Sequence, residues 1–212
     1  MLRRGVFITF EGPEGSGKST QVHALAASLR RQGRRVVTLR EPGDTPLGER
    51  VRRLLLSPST GAISPRADAF LYMTARAQLV EAAIKPALQR GAVVICDRFL
   101  DATLAYQGYG SGLDVETLRC IGEFATQGMH PDVTILLDLP PIDGLRRIRG
   151  GKDRIERRAA AFHQRVRHGY LALARREPRR FCVIDARRSR DLIAQEIGEA
   201  VAARLCRRRS LR

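Results

Sequence analysis

Eight residues near the N-terminus, Gly12-Pro13-Glu14-Gly15-Ser16-Gly17-Lys18-Ser19, fit the spacing G-x-x-x-x-G-K-[ST], and Thr20 follows them. Glycines at these positions let backbone N–H groups turn inward toward an anion. A lysine at position 18 then reaches the β- and γ-phosphates of a nucleotide, and Ser19 offers its hydroxyl to Mg²⁺. The flanks fit this reading better than a glycine-rich surface turn. Val6-Phe7-Ile8-Thr9-Phe10 is an apolar run suited to a buried strand. Val22, Leu25 and Leu29 recur at helical spacing and end at Gly33, a good helix stop. Strand, glycine loop and helix in that order mark Gly12 through Thr20 as a segment that wraps a nucleotide's phosphates.

Four more short apolar runs follow: Val36–Leu39, Ala92–Cys96, Val133–Leu137 and Phe181–Ile184. Each is nearly continuous and separated from the next by helical patterns, which predicts a five-stranded parallel sheet covered on both faces. Residues 46–88 read as mostly helical. The last helix is capped by Ser189 and carries Ile193, Ile197, Val201 and Leu205 at four-residue spacing. With 212 residues, 43% of them hydrophobic, and no repeat or low-complexity linker, the chain is expected to form one domain over residues 1–212. Residues 146–158 break the pattern: they are basic, contain Gly150-Gly151 and are nearly without apolar side chains. They are expected to form a mobile lid.

No run reaches the roughly 18 apolar residues of a membrane span, and Met1-Leu-Arg-Arg-Gly5 leads directly into the first strand. The expected location is cytoplasmic. Cys96, Cys120, Cys182 and Cys206 form no C-x-x-C pair, which argues against a zinc site or a disulfide framework. His23, His130, His163 and His168 show no ligand spacing and read as structural or solvated. The formal charge of +16 raises the possibility of polyanion binding, but of the 38 basic residues only Lys18, Lys85 and Lys152 are lysines. The arginines are dispersed, and aromatic residues make up 5% of the chain. That pattern points to a solvated basic surface and anionic small ligands rather than to specific nucleic-acid recognition.

Ligands of a parallel sheet bind beyond the carboxyl ends of its strands. The second strand exits into Arg40-Glu-Pro-Gly-Asp-Thr45 and the third into Asp97-Arg98-Phe99. An acid there can hold Mg²⁺, with Ser19, and a neighbouring arginine can clamp a phosphate. A local Asp97–Arg98 ion pair is the simpler alternative. Two anion sites and a basic lid suit transfer between two phosphorylated molecules, with Lys18 on the donor and Arg98 on the acceptor.

The chain resembles bacterial thymidylate kinases over nearly its whole length. The motifs that carry this are EGPEGSGKST at Glu11–Thr20, REPGDT at Arg40–Thr45, DRFLDATLAYQG at Asp97–Gly108 and DRIE at Asp153–Glu156, with Tyr72-Met-Thr-Ala-Arg76 between the second and third. The resemblance implies a P-loop NTPase fold of the nucleoside monophosphate kinase type with a short lid. It also implies ATP and Mg²⁺ as cofactors, dTMP as acceptor and a homodimer. Tyr72 matches the ring that stacks on thymine, Arg76 the arginine on the base edge, and Arg98 the clamp on the acceptor phosphate, with Arg40 nearby. Thr103 matches a polar contact to the base. Tyr106 matches the aromatic that crowds C2′, with Gln107 beside it, and Glu14 the acid that positions the acceptor sugar. Gly15 stands where another branch of the family has its catalytic arginine, so here the arginine is expected from the lid, as Arg149 or Arg147. The chain departs from the family at Ala102, commonly serine, and at Asp44, commonly glycine. The runner-up reading is a P-loop kinase for another nucleotide or nucleoside; a nucleic-acid-binding NTPase is the rival from outside that class.

Overall fold

The computed structural model describes residues 5–148 and 153–210, with side chains through Arg204. Five parallel strands form one sheet in the order β2-β3-β1-β4-β5: β1 Val6–Glu11, β2 Val36–Arg40, β3 Val93–Asp97, β4 Val133–Asp138 and β5 Phe181–Asp185. The apolar runs are nearly continuous because β1, β3 and β4 are covered on both faces; the edge strands β2 and β5 are only partly covered, and Val183 of β5 is exposed. Val6, Ile8 and Phe10 of β1 face one core with Val93 and Ile95 of β3, while Phe7 faces the other with Val94 and Cys96. Each strand runs one residue past its apolar stretch and ends on a charged side chain: Glu11, Arg40, Asp97, Asp138 or Asp185. The carboxyl edge of the sheet is therefore a row of ionisable groups.

Nine helices connect and cover the strands among the described residues: α1 Lys18–Arg31, α2 Pro46–Leu56, α3 Pro65–Leu79, α4 Lys85–Gln89, α5 Leu100–Thr103, α6 Val115–Thr126, α7 Pro141–Arg147, α8 Ala160–Arg176 and α9 Arg190–Ser210. α1 and α9 close one face through Val22, Leu25, Leu29, Ile193, Ile197 and Val201. The other core is filled from α3, α6 and α8 by residues such as Met73, Leu118, Phe162 and Val166. Helix starts follow local chemistry: Thr45 Oγ1 accepts from the Gly48 N–H at 2.9 Å, and Asp114 Oδ2 from the Thr117 N–H at 2.7 Å. Two π-helical stretches, Val80–Ile84 and Leu104–Gly110, interrupt the regular helices. The second carries Tyr106 and Gln107; wide turns of this kind are frequent at functional sites. α8 lies directly on that stretch because Gly169 has no side chain: a Cβ there would come within 2.7 Å of Tyr109.

The second half of the expected lid is not free of the core. Ile155 is 6% exposed and joins the main core. Asp153 accepts from the Ile155 and Glu156 N–H groups, each at 2.8 Å, and its own N–H donates to Glu156 at 3.0 Å. Arg154 donates to the Leu55 carbonyl at 2.7 Å and pairs with Asp68. The basic composition hid a single apolar anchor and an arginine that docks inward. Among the described residues, no helix is long and apolar enough to cross a membrane.

Candidate active site

A cleft of about 360 Å³ opens at the carboxyl ends of β1, β2 and β3. Its floor is the glycine loop. Gly17 takes φ 87° and ends the loop at the first turn of α1, which contains no acidic side chain to compete for an anion. Lys18 is 8% exposed and folds back on its own loop, donating to the carbonyls of Gly12 at 3.0 Å and Pro13 at 2.8 Å and to Ser16 Oγ at 3.3 Å. Burial above all, and then the nearby Arg98 charge, push its ammonium down to about 8. Ser19 lies at the cleft and Thr20 is exposed.

Gly15 meets α7 backbone to backbone. A Cβ on Gly15 would sit 2.1 Å from the Gly144 carbonyl oxygen, and one on Gly144 would sit 2.1 Å from that of Glu14. A side chain at position 15 is excluded by this contact and further disfavoured by its φ of +69°.

Asp97 and Arg98 leave β3 in different directions. Asp97 Oδ2 accepts from Ser19 Oγ at 2.8 Å, a hydroxyl and a carboxylate side by side at the loop. Arg98 adopts φ 72° while its N–H bonds the Phe10 carbonyl at 2.9 Å, which throws the guanidinium across the end of β1. There it donates to Tyr170 and Tyr106 hydroxyls, each at 3.0 Å, and to Glu14 Oε1 at 3.3 Å. Tyr106 also donates to Glu14 Oε1. Asp97 and Arg98 do not pair with each other; the local ion pair considered above is not what forms.

The Glu14 carboxylate is held at about 2. Burial works to raise it, but a bond from His163, the charges of Arg98 and Lys18, and the Tyr106 hydroxyl outweigh that. Glu11, fully buried behind it, accepts from the Phe99 N–H and the Tyr170 hydroxyl, each at 2.8 Å. Burial and the neighbouring Asp101 charge push Glu11 up to about 8 against the pull of Arg98.

At the far end of the cleft the lining changes to Tyr72, Thr103, Gln107 and Leu56. Arg76 stands behind this wall with no exposed surface. Its Nε donates to Glu41 at 3.0 Å and a terminal nitrogen to Thr103 Oγ1 at 2.8 Å and the Phe99 carbonyl at 3.1 Å. The other terminal nitrogen, Nη1, is 3.0 Å from the Met73 thioether. Gln107 donates to Asp68 at 2.7 Å, the same acid that holds Arg154. Arg40 lines the cleft and is braced by Glu49 at 2.7 Å. Asp44 does not enter the cleft: at φ 54° its carboxylate turns back to accept the Arg40 N–H at 2.7 Å.

Of the expected acceptor residues, Arg40, Tyr72, Arg98, Thr103, Tyr106 and Gln107 line one cleft with Glu14, Lys18, Ser19 and Asp97; Arg76 lies one layer behind. Arg147 points elsewhere and donates to the Ala186 carbonyl at 3.0 Å; Arg149 lies outside the described residues. Sequence reasoning missed Glu41, Arg52, Asp153 and Glu156, which also line the cleft, and His163 beside Glu14. Arg52 was findable, since the buried Val51 and Leu55 of α2 place it next to the apolar stripe. His163 had no sequence signal.

The family profile described as Thymidylate kinase matches residues 10–197. The chain is 50% identical over 205 residues to the thymidylate kinase of Deinococcus radiodurans, covering 96% of this chain and 99% of that one. It is also 50% identical over 195 residues to that of Pseudomonas putida, covering 91% and 93%. Among solved structures, the thymidylate kinase from Ehrlichia chaffeensis superposes with a TM-score of 0.75 at 33% identity, covering 93% of this chain and 98% of that one. A glycine loop, a DR strand exit and an aromatic acceptor wall thus coincide with sequence likeness over almost the full chain, and this chain belongs to the thymidylate kinase family.

Proposed function

We propose that this chain transfers the γ-phosphoryl group of ATP to dTMP, giving dTDP and ADP. The observation that carries the reading is one cleft with a phosphate loop at one end and a wall of Tyr72, Thr103 and Gln107 at the other, with Arg98 between. Lys18 and the N–H groups of the loop bind the donor phosphates. Arg98 binds the acceptor phosphate and holds its oxygen in line with the γ-phosphorus, since positioning and positive charge are most of what phosphoryl transfer requires. Tyr72 stacks on the base and Thr103 meets its edge, held from behind by Arg76 at 2.8 Å. Tyr106, ringed by Arg98, Glu14 and Tyr170, crowds the sugar and leaves no room for a 2′-hydroxyl.

Ser19 and Asp97 supply the oxygen donors that suit a hydrated Mg²⁺, whose charge would balance that of the transferred phosphate. The lid arginine is Arg149, because Arg147 is engaged at the end of β5. Arg149→Ala should lower kcat by about 10²–10⁴ with KM for dTMP little changed, whereas Arg147→Ala should leave kcat near normal.

The apolar hollow between α3 and α6, lined by Phe70, Met73, Leu118 and Ile121 with Phe124 89% exposed nearby, supports a homodimer through this face. A single domain in the cytoplasm completes the reading. Dispersed ion pairs such as Arg167–Asp138, Arg180–Asp101 and Arg187–Asp185 support the view that the net charge serves no specific nucleic acid. The test is ADP release across dTMP, CMP, UMP and AMP. dTMP should lead by a wide margin, and equal turnover of AMP would sink the assignment.

A further inference from the structure

Glu14 is approached from four elements. Lys18 comes from α1, Arg98 from the end of β3, Tyr106 from the π-helical stretch and His163 from α8, while the other acids of the cleft are Glu41, Asp97, Asp153 and Glu156. Arg98 and Tyr106 both engage Oε1. His163 is 1% exposed, and its Nδ1 lies 3.4 Å from the other oxygen, Oε2. Apart from that approach, Glu14 Oε2 has no hydrogen-bond partner among the described residues, and His163 Nε2 is buried with none. A proton on Nδ1 satisfies the carboxylate. A proton on Nε2, alone or in the imidazolium, would be buried with no acceptor facing it.

We infer that His163 is a positioning residue for the reaction: its Nδ1–H holds Glu14 Oε2, keeping Oε1 turned toward Arg98 and Tyr106 where the acceptor binds. The inference rests on the dTMP site proposed above. When a phosphate takes Arg98, Glu14 loses part of its cationic partner and gains an anionic neighbour. A carboxylate tethered only on Oε1 would then swing out of place. The second tether, on the oxygen turned away from Arg98, keeps it fixed. The Phe162 ring, 5.3 Å away and nearly perpendicular, orients the imidazole from the core side.

Two substitutions in the full chain separate this role from packing. His163→Asn keeps an N–H donor close to the Nδ1 position; His163→Leu fills the space without one. We expect His163→Leu to lose about tenfold or more in kcat/KM for dTMP, with KM for ATP unchanged and Tm at or above that of the Asn variant. His163→Asn should stay within about threefold of wild type. Packing alone would rank the two variants the other way in activity, and that ranking, or equal rates in both, overturns the proposal. Imidazole ¹⁵N spectra of the unliganded protein, with the His163 signal identified by its loss in the Asn variant, decide independently of turnover. A proton on Nδ1 is expected; a proton on Nε2 with none on Nδ1 refutes it. Wild-type protein inactive on dTMP would defeat the functional reading while leaving the tautomer result intact.

Discussion

Two arginine–glutamate pairs stand at opposite ends of the same cleft, and they differ in how completely water is shut out. Arg98 and Glu14 at the phosphate end retain 20% and 11% of their side-chain surface, while Arg76 and Glu41 at the base end retain 0% and 2%. The acids respond in opposite directions. Burial is the largest influence on both, yet Glu14 is held at about 2 by His163, Arg98 and Tyr106 together with the Lys18 charge, while Glu41, facing chiefly Arg76, is pushed above the usual carboxylate range. In the proposed reaction, partial exposure lets Arg98 exchange a glutamate and two tyrosines for a phosphate. Complete burial fixes Arg76 as part of the wall on which Thr103 is mounted. The same pair of residue types is thus a binding device in one place and a frame in the other.

The comparison is most severely tested by removing the sealed arginine. Arg76→Met strands Glu41 in the interior and should destabilise the fold by about 3–5 kcal/mol in urea unfolding. Replacing both partners, as Arg76→Met with Glu41→Leu, should recover most of that. A loss below about 1 kcal/mol for the single variant would show that the two pairs are not so different.

Arg98→Ala should do the reverse. We expect kcat/KM for dTMP to fall by about 10²–10³ with the unfolding midpoint moved by only a few degrees. Collapse of stability instead would make Arg98 part of the frame.

A smaller effect sharpens the electrostatics of the phosphate end. Burial and the Arg98 charge hold the Lys18 ammonium at about 8, below the ordinary lysine value, so a fraction of the molecules are uncharged at pH 8. Bound phosphates favour the ammonium, so ATP binding at pH 8 should take up about half a proton per site, falling toward none at pH 6 where Lys18 is already charged. Calorimetry in two buffers of different ionisation enthalpy measures this, and uptake that is equal at both pH values would contradict it.

Much of the molecule was legible from its residues. Every strand was marked by a nearly continuous apolar run, because strands covered on both faces, as β1, β3 and β4 are, need no alternation. The glycine loop and the DR exit were readable since their chemistry is local. What escaped depends on approach through space. Ile155 was one apolar residue in a basic stretch, and only docking against α2 and α3 gives it meaning. His163 sits 149 positions from Glu14 in the chain and acquires its neighbour only when α8 settles on the π-helical turn. Asp44 looked like an intruding charge, but its left-handed backbone aims the carboxylate at Arg40's own N–H, away from the cleft. The exposed Phe70 and Phe124 belong to different helices and form no stripe until α3 and α6 lie side by side.

The glycine pair at positions 15 and 144 has an evolutionary consequence. With their backbones touching, neither can gain a side chain while the other keeps its place. An ancestor wishing to carry its catalytic arginine in the phosphate loop would have to retract the start of α7 in the same step. A single Gly15→Arg change would push that helix off the loop before the new guanidinium could serve. With that contact closed, the proposed catalytic arginine has to reach the phosphates from outside the loop.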